Sequence, residues 1–408
     1  MRSIIDRMKK KYDYLVWKKY ISKGRKREVE SKNQNVISFD PALFSDNMGD
    51  YIIQCYCKKV LMEIFEKNYI KAIPTHKLPD SQEINLIAGA KTKIVCGTNL
   101  MTPHYEEYSN WKMPTDLYGY SDIITLGVGW GYYCNDISKY SKLVYKTILS
   151  DSMLHSVRDN YTLGKFKEMG IENVINTGCP TIWGLNEQHC RLIPIHKSKR
   201  VITTLTDYDR DVELDKRMIN VLLENFDKVY VWLQGLNDFE YLQKIANIDV
   251  LNIIPRNIEA YTKILDEGDI DYVGTRLHAG IHALNRKVRS LILAVDNRAT
   301  EMGHDFNLPV VQRNISSEQL KKLIMEDRET KVIIDEKAID KWKAQRNQWR
   351  ISEKMLLFLA VIGGSAGALA GMYIFHHKTL HKKFTIGVPL ILVIQVMIFI
   401  CIMENFYR

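Results

Sequence analysis

Residues 270–279 read Ile-Asp-Tyr-Val-Gly-Thr-Arg-Leu-His-Ala. The first four are rich in β-branched and aromatic side chains, which is typical of a strand, and Gly274 and Thr275 follow as a turn. The stretch therefore predicts a strand that passes directly into a helix. Such a unit is the building block of a parallel sheet. It also brings Arg276 and His278 to the end of a strand, where α/β proteins bind their ligands.

The same alternation of strands and helices extends outward over residues 35–337. Residues 185–199 contain Pro194 and charged residues without a clear period, which indicates a linker. The alternation predicts two Rossmann-like domains, residues 35–190 and 191–337, facing a cleft. Strands are predicted at Val36–Phe39, Lys93–Cys96, Ile123–Leu126, Leu154–Val157 and Val174–Asn176 before the linker, and at Val201–Leu205, Lys228–Leu233, Val250–Ile254, Ile270–Val273 and Ser290–Val295 after it.

Asn47, Gly49 and Asp50 follow the first strand and open a helix. Glycine lets the backbone approach a ligand, and a helix N-terminus offers free N–H groups to an anion. The alternative is that Asn47 or Asp50 only caps the helix.

Gly127, Gly129 and Gly131 follow another strand. Their spacing resembles a turn that cradles a phosphate, but it departs from the G-x-G-x-x-G pattern. Nucleotide binding is therefore indicated only weakly.

Arg158 stands at the end of a third strand, before Asp159. Its guanidinium is suited to clamping a carboxylate or phosphate. The alternatives are an ion pair between Arg158 and Asp159 and a helix-capping role for Asp159.

For His278, a titratable imidazole near a cation suits acid or base catalysis, and the alternative is a buried structural histidine.

Together these stretches resemble the polysaccharide pyruvyl transferase family over roughly residues 35–330. The chain departs from the family pattern at Cys179, where many members have Asp, and at residues 296–298. The resemblance is carried by Asn47-x-Gly49-Asp50, the Gly127/Gly129 loop, Val157-Arg158-Asp159, Asn176-Thr177-Gly178-Cys179-Pro180 and Arg276-Leu277-His278-Ala279.

The resemblance implies a GT-B-like fold and transfer of pyruvate from phosphoenolpyruvate to a sugar, as a ketal. Because this transfer needs an acid or base and cations for the donor's carboxylate and phosphate, our hypothesis is that His278 is the acid or base and Arg276 the anion clamp, with Arg158 as a second clamp. The residues expected to shape the donor or acceptor site are Asn47, Gly49, Asp50, Gly127 and Gly129, and Glu301 is expected to hold sugar hydroxyls. This chemistry needs no redox cofactor and no metal. The alternatives are a GT-B glycosyltransferase that uses a nucleotide sugar, and a non-catalytic scaffold or sensor in glycan assembly.

The net charge of +9 is unevenly distributed. Residues 1–30 carry a net +7 and residues 340–408 a net +6, which leaves −4 on the body. A nucleic-acid enzyme usually carries its basic surface on the body, so we expect no nucleic acid as a partner. Basic ends instead favour an anionic membrane. The seven scattered cysteines favour a reducing cytosol.

The C-terminal residues 338–408 contain two uncharged segments, at about 355–375 and 386–403, each long enough to span a bilayer as a helix. Residues across this region, including Trp349-Arg350, Gly363-Gly364 and His377-Lys378-Thr379, resemble the domain of unknown function 1294, a family of small bacterial membrane proteins. The histidines of the connection, His376, His377 and His381, suit lipid headgroups better than a metal. We therefore expect a transmembrane hairpin in the inner membrane, with the body in the cytoplasm and a glycan or lipid-linked sugar as acceptor.

Residues 1–34 are basic, with apolar residues at roughly helical spacing. Two arrangements are open: an interfacial helix on the membrane, or a basic helix packed on the body.

Overall fold

The computed structural model describes residues 2–25 and 33–346, together with residues 365, 367, 369, 387–392, 395 and 397. Residues 1–346 form one compact unit and residues 347–408 a second. The first unit thus ends at residue 346, beyond the boundary expected at 337. The difference arises at α13 (Glu336–Ala344), where Trp342 is fully buried and its Nε1 donates to the carbonyl of Thr125 at 3.2 Å.

The strands of the first unit are β1 Asn33–Asp40, β2 Ile70–Pro74, β3 Ala90–Cys96, β4 Asn99–Met101, β5 Ile123–Leu126, β6 Gly129–Trp130, β7 His155–Val157, β8 Val174–Asn176, β9 Arg200–Thr203, β10 Lys228–Trp232, β11 Asn252–Ile254, β12 Ile270–Gly274, β13 Ser290–Ala294 and β14 Val310–Gln312. Its helices are α1 Arg2–Arg25, α2 Met48–Ile64, α3 Ser81–Gly89, α4 Lys139–Ile148, α5 Asn160–Glu168, α6 Glu187–Cys190, α7 Val212–Asn225, α8 Asp238–Ile245, α9 Ile258–Asp266, α10 Leu277–Asn285, α11 Asn297–Phe306, α12 Ser317–Met325 and α13. Every predicted strand is present, with ends shifted by up to three residues, and the alternation confirms the α/β prediction.

The first half of the unit is built on a parallel sheet in the order β2-β1-β3-β5. β7 and β8 form a separate parallel pair, which an isolated bridge between Val128 and Val157 joins to the segment after β5. β2 pairs with one edge of β1, and β3 pairs with the opposite edge. The carboxyl ends of β1 and β3 therefore flank the topological switch point, where open α/β sheets bind ligands.

The second half is a six-stranded parallel sheet in the order β11-β10-β9-β12-β13-β14. Counted within this half the order is 3-2-1-4-5-6, that of a doubly wound dinucleotide-binding sheet. Its switch point lies between β9 and β12. Since Arg276 directly follows the turn after β12, the fold places it at that switch point.

Helix caps hold the loops at these strand ends. Asn47 caps α2 by accepting from the N–H of Gly49, and Asp159 caps α5 by accepting from the N–H of Thr162. Asp296 caps α11 in the same way. The capping alternatives considered for Asn47 and Asp159 are thus correct, and the caps orient residues that also take part in the site.

The N-terminal helix α1 packs on the body through one face. The ring of Trp17 lies 4.0 Å from that of Tyr140, centroid to centroid, and Ile21 is buried. Tyr12 and Leu15 remain exposed at 68% and 55%. This packing supports the second of the two arrangements predicted for the segment and leaves an apolar and basic outer face.

The second unit is described at a few helical positions. Ser365 is buried, and its hydroxyl donates to Oε1 of Gln395. Most residues of the predicted spans at 355–375 and 386–403, and all three histidines of the connection, lie outside the described residues. In the part of the chain that the structure describes, no helix is both long and apolar enough to cross a membrane.

Candidate active site

A pocket that is partly open to solvent lies where the two switch points meet. Five residues singled out from the sequence line it together. The loops that follow β9, β10 and β13 complete it. Its lining residues are Asn47, Gly49, Asp50, Tyr208, Gln234, Thr275, Arg276, Leu277, His278, Asp296, Arg298 and Ala299.

His278 is the second residue of α10 and is 5% exposed. Burial, together with the smaller effects of the nearby charges of Arg298 and Arg158, lowers the pKa of its imidazole to about 3. Its Nε2 is buried and has no hydrogen-bond partner among the described residues. A buried structural histidine is normally hydrogen-bonded, so this orphan atom favours a functional role. The imidazole is neutral at physiological pH.

Arg276 is held by the protein itself. Its Nε donates to the carbonyl of Leu205 at 2.6 Å, and its Nη2 donates to Asp207 at 2.8 Å and to Asp238 at 2.9 Å. The guanidinium also lies 4.9 Å from the ring centre of Tyr208. Two buried or nearly buried carboxylates therefore balance its charge, and it is a weaker anion clamp than the sequence predicts.

Arg298 is a second cation in the pocket, which the sequence analysis did not propose for the site. It lies in the first turn of α11, where its Nε donates to Asp296 at 2.9 Å and its Nη2 donates to the hydroxyl of Tyr208. Burial raises the pKa of Asp296, but the charge and hydrogen bond of Arg298, the N–H of Ala299 and the charge of Arg158 together lower it to about 2. The sequence shows that residues 296–298 depart from the family pattern, but it does not show that Arg298 lines the pocket.

The loop before α2 closes the pocket from the first half of the unit. Oδ1 of Asn47 accepts from the N–H of Gly49 at 3.0 Å and from Nε2 of Gln234 at 2.8 Å. A Cβ on Gly49 would lie 2.9 Å from the same Nε2, so a side chain at this position would have to shift the Gln234 amide. Asp50 accepts from the hydroxyls of Ser45 at 2.6 Å and Thr98 at 2.8 Å. These three predicted residues therefore shape the pocket wall.

Arg158 lies behind the pocket rather than in its lining. It is fully buried, and its Nε donates to Asp159 at 3.0 Å and its Nη1 to Asn99 at 2.6 Å. The alternative of an ion pair with Asp159 is thus realised. The charge of Arg158 nevertheless reaches the site, since it contributes to the lowered pKa of His278.

The glycine loop supports Arg158. Gly127 has a φ of +64°, which favours glycine, and a Cβ there would lie 2.6 Å from Cδ of Pro180. Gly129 leaves room for the guanidinium of Arg158. Neither glycine belongs to the described lining of the pocket. The loop therefore positions an arginine, which is a different role from cradling a phosphate.

Glu301 also lies outside the described lining of the pocket. Its Oε1 accepts from the hydroxyl of Tyr133 at 2.6 Å, which joins α11 to the loop after β6. Asn297 makes a similar connection, because its Nδ2 donates to the carbonyl of Trp130 at 3.3 Å. Glu301 thus holds the two halves of the unit together at the edge of the cleft.

Two family models match the chain. The model described as polysaccharide pyruvyl transferase matches residues 33–297, well over half of the chain. The model described as a protein of unknown function, DUF1294, matches residues 337–384. Both resemblances predicted from the sequence are confirmed, in the predicted order.

A curated relative matches a short stretch of the chain. The uncharacterized protein YsdA of Bacillus subtilis (strain 168) is 53% identical over 57 residues. The match covers 14% of this chain and 64% of that protein, so the chain spans less than two thirds of the relative's length.

Two solved structures are similar over most of their length. One is the UDP-GlcNAc 2-epimerase of Methanocaldococcus jannaschii in complex with UDP-GlcNAc and UDP, with a TM-score of 0.44 and 11% identity, covering 76% of this chain and 97% of that one. The other, from Listeria monocytogenes, is described as a UDP-N-acetylglucosamine 2-epimerase; its TM-score is 0.40 at 13% identity, covering 82% and 97%.

Proposed function

Because this chain belongs to the polysaccharide pyruvyl transferase family, and is a transferase by that membership, we propose that its donor is phosphoenolpyruvate and its product a pyruvate ketal. The acceptor is a sugar of a cell-surface polysaccharide or of its lipid-linked precursor. The observation that carries the proposal is the state of His278. A neutral imidazole, with Nε2 unpartnered among the described residues, shares a pocket with two arginines.

The proposed reaction adds two sugar hydroxyls to the central carbon of the donor. The first hydroxyl forms a C–O bond there, and its proton ends on the methylene carbon, which becomes a methyl group. The second hydroxyl then attacks the same carbon, the bond to the phosphate oxygen breaks, and the second proton leaves with phosphate. A base that is neutral at the start takes the first proton and passes it on, so His278 suits this role without a net gain or loss of protons.

The electrostatics beside His278 favour an anionic donor. Arg298 and Arg158 both lower the pKa of the imidazole, and their effects rank above the opposing effect of Asp296. The electrostatic potential at the imidazole is therefore positive, and a positive potential attracts the carboxylate and phosphate of the donor. A bound anion would in turn raise the pKa of His278 and make the imidazolium easier to form. No oxidation or reduction occurs, so the transfer as proposed needs no redox cofactor.

Phosphate release tests this function. The full chain, purified in detergent, is mixed with phosphoenolpyruvate and a panel of glycan acceptors. We expect release of phosphate that depends on the acceptor. A thermal-shift series with phosphoenolpyruvate and UDP-sugars runs beside it. Stabilisation by UDP-sugars, without phosphate release from phosphoenolpyruvate, would instead establish a nucleotide-sugar glycosyltransferase.

We further propose that the body lies in the cytoplasm, on the inner membrane, with residues 347–408 as its anchor. The uncharged segments of the C-terminal sequence support this, as does the outer face of α1, where exposed Tyr12 and Leu15 lie among exposed lysines. That composition suits an anionic lipid surface. The full chain should stay in the membrane fraction after alkaline carbonate extraction. Its recovery in the soluble fraction would contradict the proposal.

A further inference from the structure

Gln234 lies directly beyond β10, is 2% exposed and lines the pocket. Its backbone is fixed on both sides. The N–H donates to Asp238 at 2.8 Å, and the carbonyl accepts from the N–H of Met48 at 3.1 Å. The side chain therefore starts from a rigid position at the meeting point of the two halves.

The hydrogen bonds also fix which way the Gln234 amide points. Oδ1 of Asn47 accepts from the N–H of Gly49, so the atom at that position is an oxygen. The Gln234 atom that lies 2.8 Å from this oxygen must then be a donor, which is Nε2. Its Oε1 is consequently the end of the amide that Asn47 does not engage.

Oε1 of Gln234 is buried and, within the described part of the chain, has no hydrogen-bond partner. Nε2 of His278 is in the same state, and both residues line the same pocket. Buried acceptors are normally satisfied, because an unpaired one costs free energy. In the His278 tautomer that is protonated on Nδ1, Nε2 is an acceptor as well, and a ligand that brings two donors would recover that cost at both atoms.

We propose that Gln234 is a specificity-determining residue for the acceptor. Its Oε1 receives the second hydroxyl of a sugar diol, while Nε2 of His278 takes the proton of the first. This inference rests on the proposed function, since a cyclic ketal joins two hydroxyls of one sugar. The amide is too weak a base to remove a proton, so it orients the hydroxyl oxygen toward the central carbon. The proton of that hydroxyl leaves with phosphate when the bond between carbon and phosphate oxygen breaks.

Three variants of the full chain test the role of Gln234. Gln234→Leu removes both ends of the amide. Gln234→Glu keeps an acceptor oxygen but removes the donor that binds Asn47. Gln54→Leu is the matched control, because Gln54 in α2 is also buried with an Oε1 that is unpartnered among the described residues, yet it does not belong to the described pocket lining.

The acceptors are the methyl pyranosides of glucose, galactose and mannose, and the readout is phosphate release from phosphoenolpyruvate. We expect Gln234→Leu to lower kcat/KM for the acceptor roughly ten- to a hundredfold, as loss of one buried hydrogen bond does. The KM for phosphoenolpyruvate should stay within about twofold, and Gln54→Leu should match the wild type. Gln234→Glu should recover most of the loss. A purely structural role, through the bond from Nε2 to Asn47, predicts that Gln234→Glu is as impaired as Gln234→Leu.

The outcomes separate this inference from the function beneath it. If the wild type releases phosphate and Gln234→Leu does so equally well, the role of Gln234 is overturned and the proposed function stands. Equal impairment of Gln234→Leu and Gln234→Glu overturns it in the same way. If the wild type releases no phosphate with any acceptor, the proposed function fails, and the role of Gln234 fails with it.

Discussion

A Cβ atom on Gly129 would lie 2.2 Å from Cζ of Arg158, so residue 129 forms the surface against which that guanidinium is packed. Arg158 is fully buried and is held by Asp159 and Asn99. Any side chain at position 129 must displace it. The contact links the first residue of β6 to the electrostatics of His278.

Gly129→Ala should therefore impair both stability and activity. Overpacking of this kind typically costs about 1–3 kcal/mol, and the displaced charge no longer acts on His278. Chemical unfolding and phosphate release measure the two effects. Gly164→Ala is the matched control, because a Cβ there meets nothing within 4 Å and Gly164 lies inside α5. It should stabilise the protein by roughly 0.5–1 kcal/mol. A Gly129→Ala variant as stable and active as the wild type would contradict this role of the glycine.

The two pocket arginines should respond differently to substitution. Arg276→Ala leaves Asp207 and Asp238 without their cation, and breaking a buried ion pair typically costs about 3–5 kcal/mol of unfolding free energy. Arg298→Ala leaves Asp296 still capping α11 through backbone N–H groups. It should spare stability and raise the KM for phosphoenolpyruvate at least about tenfold, as loss of a charged hydrogen bond does. The reverse pattern, with Arg276 controlling KM and Arg298 stability, would restore the role predicted from the sequence.

His278→Ala should lower phosphate release at least about a hundredfold, the usual range for a lost acid or base. His282 provides the control, since it lies one turn further along α10. Tyr56 at 3.1 Å and Thr262 at 2.9 Å both bond its ring. His282→Ala should lose stability but keep most of its turnover number. Comparable turnover in His278→Ala and the wild type would remove His278 from the chemistry.

The sequence predicts ten of the fourteen strands in the described residues, because each of the ten is a short apolar or β-branched run with a turn after it. It does not predict β2, β4, β6 and β14. It also predicts that His278 and Asn47 lie near a cleft. The order of strands in a sheet cannot be predicted in this way, because the alternation of strands and helices shows that strands exist but not which strands are neighbours. Gln234 follows β10 as closely as Arg276 follows β12, and Arg298 lies in the first turn of the helix after β13. Those positions were the available signal for both.

Pairing of charges was harder to foresee. Arg276 is separated from Asp207 by 69 residues and from Asp238 by 38, so only the folded sheet reveals that its charge is balanced. Glu301 illustrates the same limit. A carboxylate after a strand suits sugar hydroxyls, but its partner Tyr133 comes from the other half of the unit, 168 residues away.

The neutral state of His278 should appear in the pH dependence of stability. Burial lowers its pKa to about 3 in the folded protein, against about 6.5 for an unperturbed histidine. Between these values the unfolded chain binds more protons than the folded one, so acid favours unfolding. This residue's contribution is complete above pH 6.5 and is lost as the pH falls toward 3. From pH 7 to pH 5 the loss is on the order of 2 kcal/mol.

When the pH falls from 7 to 5, the free energy of unfolding should therefore decrease less in His278→Gln than in the wild type. The difference should be about 2 kcal/mol. Urea unfolding of the full chain, followed by tryptophan fluorescence, gives the two free energies. His196→Gln serves as control, because the His196 side chain is 82% exposed and its pair with Asp327 lies at the surface. Exposed pairs contribute roughly 0–1 kcal/mol, so its pH dependence should follow that of the wild type. If His278→Gln follows the wild-type curve as well, the imidazole is not held neutral by the fold. The proposed starting state of the base would then be wrong.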